Sequence, residues 1–101
     1  MSISADHPRH KLNELFRSPI RFSIMAALAR AESLDFKDLR DAIQVSDSAL
    51  SKQLSALEQA DYVKIKKSFA GKMPRTSASL TANGHEAWAG HLQTLRDIAE
   101  G

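Results

Sequence analysis

Apolar residues recur along this chain with two different periods, and the point where the period changes divides it. Ile20, Ile24, Leu28 and Ala31 stand at i, i+4, i+8 and i+11 with Met25 alongside, which predicts an amphipathic helix over about 19–31. Ser18-Pro19 marks its start, because a serine hydroxyl caps the free amides and proline suits a first helical turn. Upstream, Leu12, Leu15 and Phe16 also have helical spacing, while residues 1–9 are polar, contain Pro8 and are expected to form a loose tail. Beyond Leu34, Asp35 is placed to cap a short helix carrying Phe36, Leu39 and Ile43. Val45-Ser46-Asp47 then makes a tight turn. Ser46 serves as the next N-cap, and a helix over about 47–60 turns Leu50, Leu54 and Leu57 to one side.

At Tyr62 the period drops to two. Val63, Ile65 and Phe69 alternate with Lys64, Lys66 and Ser68, and only Lys67 falls out of step at an inward position. Ala70-Gly71-Lys72-Met73-Pro74 has turn composition, and Arg75 to Leu80 alternates again through Thr76, Ala78 and Leu80. The stretch from about 62 to 80 is therefore a hairpin with a basic, flexible tip. Thr81 caps a last helix over about 82–98, with Trp88, Leu92, Leu95 and Ala99 on one stripe. The predicted order is helix, helix, helix, hairpin, helix, a mainly α domain with a small antiparallel β-hairpin that fills residues 1–101.

Composition removes several classes of function. With 43% hydrophobic and 26% charged residues, 101 residues support one modest core and fit neither disorder nor a coiled coil. No cysteine is present, so there is no disulfide framework, thiolate metal site or cysteine nucleophile. The longest apolar run, Ile24 to Ala29, is far below the roughly 20 residues a membrane span needs. The first residues have no secretory pattern, so the expected location is the cytoplasm. Neither a Gly-x-Ser-x-Gly elbow nor a Gly-rich phosphate loop occurs, and no enzyme is expected. No cofactor and no metal are expected either. His85 and His91 are six residues apart and point about 120° away from each other on a helix, and His7 and His10 flank Pro8 in the tail.

Charge changes the picture more than its total of +2 implies. The blocks 1–31, 32–47, 48–85 and 86–101 carry +3, −3, +4 and −2. Within residues 62–85, Lys64, Lys66, Lys67, Lys72 and Arg75 occur with no acid at all. Such asymmetry is a footprint for a polyanion. By itself it equally describes a solvated hairpin.

The neighbouring helix decides the matter. Two short helices joined by a tight turn over about 35–60 make a helix-turn-helix, whose second helix fits the major groove of DNA. Ser48, Ser51, Lys52, Ser55 and Gln59 fall opposite the leucines, on a face without an acid or a large apolar group. Ala49 and Gln53 flank it. Small hydroxyls approach base edges, Gln pairs with adenine, and Ala meets the thymine methyl.

Order and spacing resemble the winged helix-turn-helix of bacterial regulators, in particular a short relative of the MarR family. The residues that carry the resemblance run from about Ser18 to Gly84. They are Ser18-Pro19-Ile20-Arg21 with the Ile24 to Leu28 run, Leu34-Asp35-Phe36-Lys37-Asp38-Leu39, Ser46-Asp47-Ser48-Ala49-Leu50-Ser51-Lys52-Gln53-Leu54, Leu57-Glu58, Asp61-Tyr62-Val63, Phe69, Gly71, Pro74-Arg75-Thr76, Leu80-Thr81 and Asn83-Gly84. The resemblance implies a homodimer on a near-palindromic operator, acting as a transcriptional regulator and more simply a repressor than an activator. It implies a major-groove reader made by Ser46, Ser48, Ala49, Ser51, Lys52, Gln53 and Ser55, with Lys72, Arg75 and Thr76 on the backbone. Lys64 and Lys66 add phosphate neutralisation. Two departures stand out: Asp61 occupies a turn position where such proteins usually have Gly, and Met73 replaces a wing-tip residue that is often basic.

A dimer contact is expected from Leu12, Leu15 and Phe16 together with Trp88, Leu92 and Leu95. No residue there identifies a small-molecule effector; one that binds would sit between the dimer's terminal helices. The competing reading is a winged-helix protein adaptor that does not bind DNA. It predicts exposed aliphatic or acidic side chains on the recognition face, and the sequence places neither there.

Overall fold

A computed structural model describes residues 7–101. Four α-helices, α1 (Pro19–Ala29), α2 (Phe36–Ile43), α3 (Asp47–Gln59) and α4 (Ala82–Glu100), surround a three-stranded antiparallel sheet of β1 (Leu34–Asp35), β2 (Val63–Ala70) and β3 (Met73–Leu80). The sheet order is β1-β3-β2. A mainly α winged helix with a hairpin wing is therefore the fold.

The helix starts follow the predicted capping. Ser18 Oγ accepts from Arg21 N–H at 3.2 Å, Ser46 Oγ from Ala49 N–H at 3.1 Å, and Thr81 Oγ1 from Gly84 N–H at 2.8 Å. Asp35 stands at the N-cap of α2 but makes no side-chain cap bond there. Its carboxylate instead faces Arg75 Nε at 3.4 Å, across the small sheet. The two-residue β1 strand was hidden from the sequence, because Leu34↔Ala78 and Asp35↔Ser77 pair with residues more than forty positions away.

Two further expectations change. The described part of the expected tail, from His7 on, is ordered into a 3-10 turn over Pro8–Lys11, capped by His7; residues 1–6 lie outside the described residues. The wing turn is shorter than its composition implied. Ala70 pairs with Met73 and Phe69 with Pro74, leaving only Gly71 and Lys72 in the turn. Gly71 has φ +66°, the positive first position that a type II′ hairpin requires.

Asp61 does take the left-handed conformation, φ +64°, as the turn after α3 demands. Its carbonyl accepts from Thr81 Oγ1 at 2.6 Å, tying the end of α3 to the start of α4. Gly84 completes that joint: a Cβ there would run into the Tyr62 carbonyl, so α4 packs directly on the entry to β2.

The core gathers Ile24, Met25 and Leu28 of α1, Leu39 of α2, Leu50, Leu54 and Leu57 of α3, and Val63, Ala78 and Leu80 of the sheet. Phe16 and Trp88 close it, 3% and 7% exposed, with ring centroids 5.6 Å apart in edge contact. This corrects the expected dimer surface. Phe16 and Trp88 are buried within one chain because a second 3-10 turn, Glu14–Arg17, folds Phe16 between Tyr62, Trp88 and His91. The buried stripe of α4 is Gly84, Trp88, His91 and Thr94 rather than Trp88, Leu92, Leu95 and Ala99. Leu12, Leu15 and Leu92 are half-buried, and Leu95 is exposed.

Candidate nucleic-acid interface

The α3 helix presents Ser48, Ser51, Lys52, Ser55, Glu58 and Gln59 to solvent, while its leucines lie in the core. Ala49 and Gln53 are half-buried. The first turn is fixed from outside: Arg40 Nη1 meets Asp47 Oδ1 at 2.8 Å and Arg40 Nε meets Asp41 Oδ1 at 3.0 Å. Ser46, as the cap, also lies 3.3 Å from the Ser48 hydroxyl. Ser46 and Ser48 therefore carry local bonds, whereas Ser51 and Ser55 are exposed at mid-helix.

Gln53 has a partner that the spacing did not disclose. Its Oε1 accepts from Arg21 Nη1 at 2.7 Å, and Arg21 Nε in turn donates to the Leu15 carbonyl at 2.6 Å. The amide nitrogen of Gln53 keeps two donors, but the side chain is held toward α1.

Strand register sorts the wing residues into two faces. Val63, Ile65, Lys67 and Phe69 of β2 stand opposite Leu80, Ala78, Thr76 and Pro74 of β3 on the side that packs on α3. Lys64, Lys66 and Ser68 stand opposite Ser79, Ser77 and Arg75 on the outer side. An open groove between α3 and the wing is lined by Ser51, Ser55 and Glu58 together with Ile65, Lys67 and Thr76.

Lys67, the residue that broke the alternation, is thus the wing cation that shares the groove with α3. Lys64, Lys66 and Arg75 line a separate polar hollow on the far side, with Asp35 against Arg75. Lys72 projects from the turn, exposed. Sequence reasoning did not place Lys67 in this groove, although its inward position was the available signal. It also left Glu58 out of this groove, where its carboxylate stands among hydroxyls, the Lys67 cation and the apolar Phe36, Leu54 and Ile65.

Nearer the N-terminus lies a polar cluster that serves packing. Asn13 N–H donates to His91 Nδ1 at 3.1 Å, and Asn13 Nδ2 donates to the Tyr62 hydroxyl at 2.9 Å. Burial lowers the His91 pKa from its ordinary 6.5, since the charged imidazolium would lose its hydration there. Among the described residues, no group of three or more His, Asp or Glu side chains is arranged to hold a metal ion. Among the same residues, no helix is long and apolar enough to cross a membrane.

Comparison with known proteins agrees with this geometry. A family model described as a winged helix DNA-binding domain matches residues 20–99. An uncharacterized protein of Methanocaldococcus jannaschii is 25% identical over 87 residues, covering 86% of this chain and 95% of that protein. Among solved structures, a transcriptional regulator homologue from Pyrococcus horikoshii superposes with a TM-score of 0.87 at 22% identity, covering 96% of this chain and 97% of that one. The NadR protein, crystallised with 4-hydroxyphenylacetate, gives 0.70 at 25% identity, covering 92% of this chain and 63% of that one. The two solved structures share the winged-helix fold of this chain. With an exposed serine face on α3, a basic wing and a family match that spans both, the chain belongs to the winged helix DNA-binding domain family.

Proposed function

We propose that this chain binds double-stranded DNA as a homodimer in the cytoplasm and represses transcription by occupying its operator. The α3 helix enters the major groove and reads bases through Ser51, Lys52 and Ser55, with Ala49 and the free amide of Gln53 at its flank. Lys67, Thr76 and Lys72 hold the sugar-phosphate backbone beside it, and Lys64, Lys66 and Arg75 raise the local positive potential. The observation that carries the reading is the shared groove, in which Ser51 and Ser55 of α3 face Lys67 and Thr76 of the wing.

A second copy is part of the proposal for a physical reason. Two half-sites about one helical turn apart need two recognition helices. With Phe16 and Trp88 inside the chain, the contact narrows to Leu95, which is 36% exposed, with half-buried Leu92 and Ile98 on the same helix. Repression requires only occupancy of a promoter, which this compact reader supplies without a further activity.

The test is fluorescence anisotropy with the duplex upstream of the chain's own coding region, from about 50 to about 200 mM salt, against random duplex as competitor. Tight binding that falls by several decades over that range yet resists competitor supports a sequence-specific regulator. Absence of binding at low salt overturns the proposal and leaves the protein-adaptor reading.

A further inference from the structure

The wing ends in side chains that a solvated basic hairpin has no use for. Phe69 is 74% exposed and Met73 is 66% exposed, the two most exposed large apolar side chains among the described residues. They sit on either side of the Gly71-Lys72 turn, Phe69 paired across the ribbon with Pro74 and Met73 with Ala70. Beyond the β1 contact at Ala78 and Ser77, the ribbon pairs only its own two strands, and Ala70, Met73 and Pro74 border an open hollow with Phe36 and Lys37 at the start of α2. Ser77 and Gly71 are six positions apart along the ribbon, a reach of about 20 Å in extended chain.

We infer that the wing tip is an apolar wedge that inserts into the minor groove next to the recognition helix's site and opens a base step there. The inference rests on the DNA-binding reading and extends it. Three observations point to DNA rather than another occupant. The Phe69–Pro74 pair lies on the same face of the ribbon as Lys67 and Thr76, so the surface that leads to the α3 groove continues directly to the tip. The ribbon's own charge is of one sign: from residue 62 to 85 the chain has five cations and no acid, with Asp35 beside Arg75 and Glu58 in the α3 groove as neighbouring carboxylates, and this excess suits phosphates and opposes contact between two such tips. The tight turn, with positive φ at Gly71, fixes the ribbon, so Phe69 and Pro74 are presented by paired strands and not by a loose loop.

Groove dimensions supply the mechanism. Paired strands lie about 4.8 Å apart before side chains are counted, and the B-form minor groove is about 6 Å wide. Entry of this tip therefore requires the groove to widen. An apolar side chain between base pairs does this by unstacking one step and kinking the duplex toward the major groove. Pyrimidine–purine steps unstack most readily, so the wedge gives a preference for TA or CA/TG at a flanking position that no side chain reads by hydrogen bonds.

The experiment uses duplexes enriched by the full chain from a random library. They carry 2-aminopurine at the flanking steps and a donor–acceptor dye pair at the ends. The wild-type complex is expected to show a rise in 2-aminopurine emission at one flanking step per half-site, with a bend in the range of about 20–90°. Phe69→Ser, at a site outside the core, is expected to lose the emission rise and most of the bend. Its affinity should fall by about tenfold, the scale of one base–aromatic contact. Its unfolding midpoint, measured alongside, should stay at the wild-type value.

Wild-type complexes that are straight and keep 2-aminopurine quenched overturn the wedge while leaving DNA binding intact. A Phe69-dependent change in sedimentation, or Phe69-dependent binding to phosphatidylserine vesicles, with no change in the DNA signals, also overturns it and assigns the tip to a second copy or to a membrane surface. If the library yields no bound duplex at all, the DNA-binding reading itself fails, which the anisotropy assay detects independently.

Discussion

Arg21 Nη1 donates to Gln53 Oε1 at 2.7 Å, so a residue of α1 holds a residue on the flank of the recognition helix. The same guanidinium is anchored through Nε to the Leu15 carbonyl. Gln53 is thereby held from behind, which leaves only its two amide protons for the base reading proposed above. Arg21→Ala leaves Gln53 free to rotate and removes a charged hydrogen bond worth about 1.5–3 kcal/mol. The expected outcome is a lower urea midpoint together with weaker discrimination between selected and random duplex. An unchanged midpoint would show that the bond contributes nothing in solution.

Lys67 and Arg75 should behave differently, and in the reverse of the order the sequence suggests, which assigns Arg75 to the DNA backbone and gives Lys67 no contact. Lys67 lines the α3 groove, whereas Arg75 faces Asp35 on the outer side of the sheet. Lys67→Ala is expected to weaken binding to all duplexes and to lower the salt slope by about one unit. Arg75→Ala should lower it less, because Asp35 already neutralises part of that charge. Asp35→Asn should strengthen binding. Salt titrations of the three variants check the order, and equal slopes for Lys67→Ala and Arg75→Ala would contradict it.

Gly84 is required by packing. A methyl group at that position meets the Tyr62 carbonyl, which is held by the Thr81 N–H bond at 3.1 Å and cannot move aside freely. Gly84→Ala is therefore expected to cost about 1–3 kcal/mol, despite alanine's higher helix propensity. Chemical denaturation measures it, and a stabilised variant would show that the joint between α4 and β2 yields.

Stability should fall on mild acidification through His91. Its folded pKa lies below 6.5 because the ring is buried among Phe16, Phe22 and Trp88. Between the folded and unfolded values the unfolded chain binds the extra proton, so stability rises with pH across that window. The contribution is complete above the unfolded pKa and is lost as pH falls below it toward the folded value. Thermal midpoints at about pH 7.5 and about pH 5.5 should therefore separate more for the wild type than for His91→Gln, which retains an acceptor for Asn13 N–H. Equal separations would remove His91 as the cause.

A dimer built on the outer part of α4 makes its own prediction. Leu95→Glu puts a charge into the proposed contact without touching the core, since Leu95 is exposed in the single chain. Sedimentation should show monomers, and affinity for a two-half-site duplex should drop toward that for a single half-site. Retained dimers would move the contact elsewhere.

Periodicity by itself determined the helices, the hairpin and their order, because Leu50, Leu54 and Leu57 or Val63 and Ile65 must turn the same way to leave water. Capping by Ser18, Ser46 and Thr81 was equally legible, since each acts on amides within three residues. The serine face of α3 was legible for the same local reason. What depended on distant partners was not. The β1 strand exists only through its pairing with β3, and Gln53 is restrained by a residue thirty-two positions away. Phe16 and Trp88 look like interface residues in one dimension, because an apolar stripe does not say which surface will cover it. The fold supplied that surface from the chain's own N-terminal turn. Register likewise decided that Lys67 faces the recognition helix while Lys64 and Lys66 face away, since a one-residue step on a strand reverses the side a charge occupies.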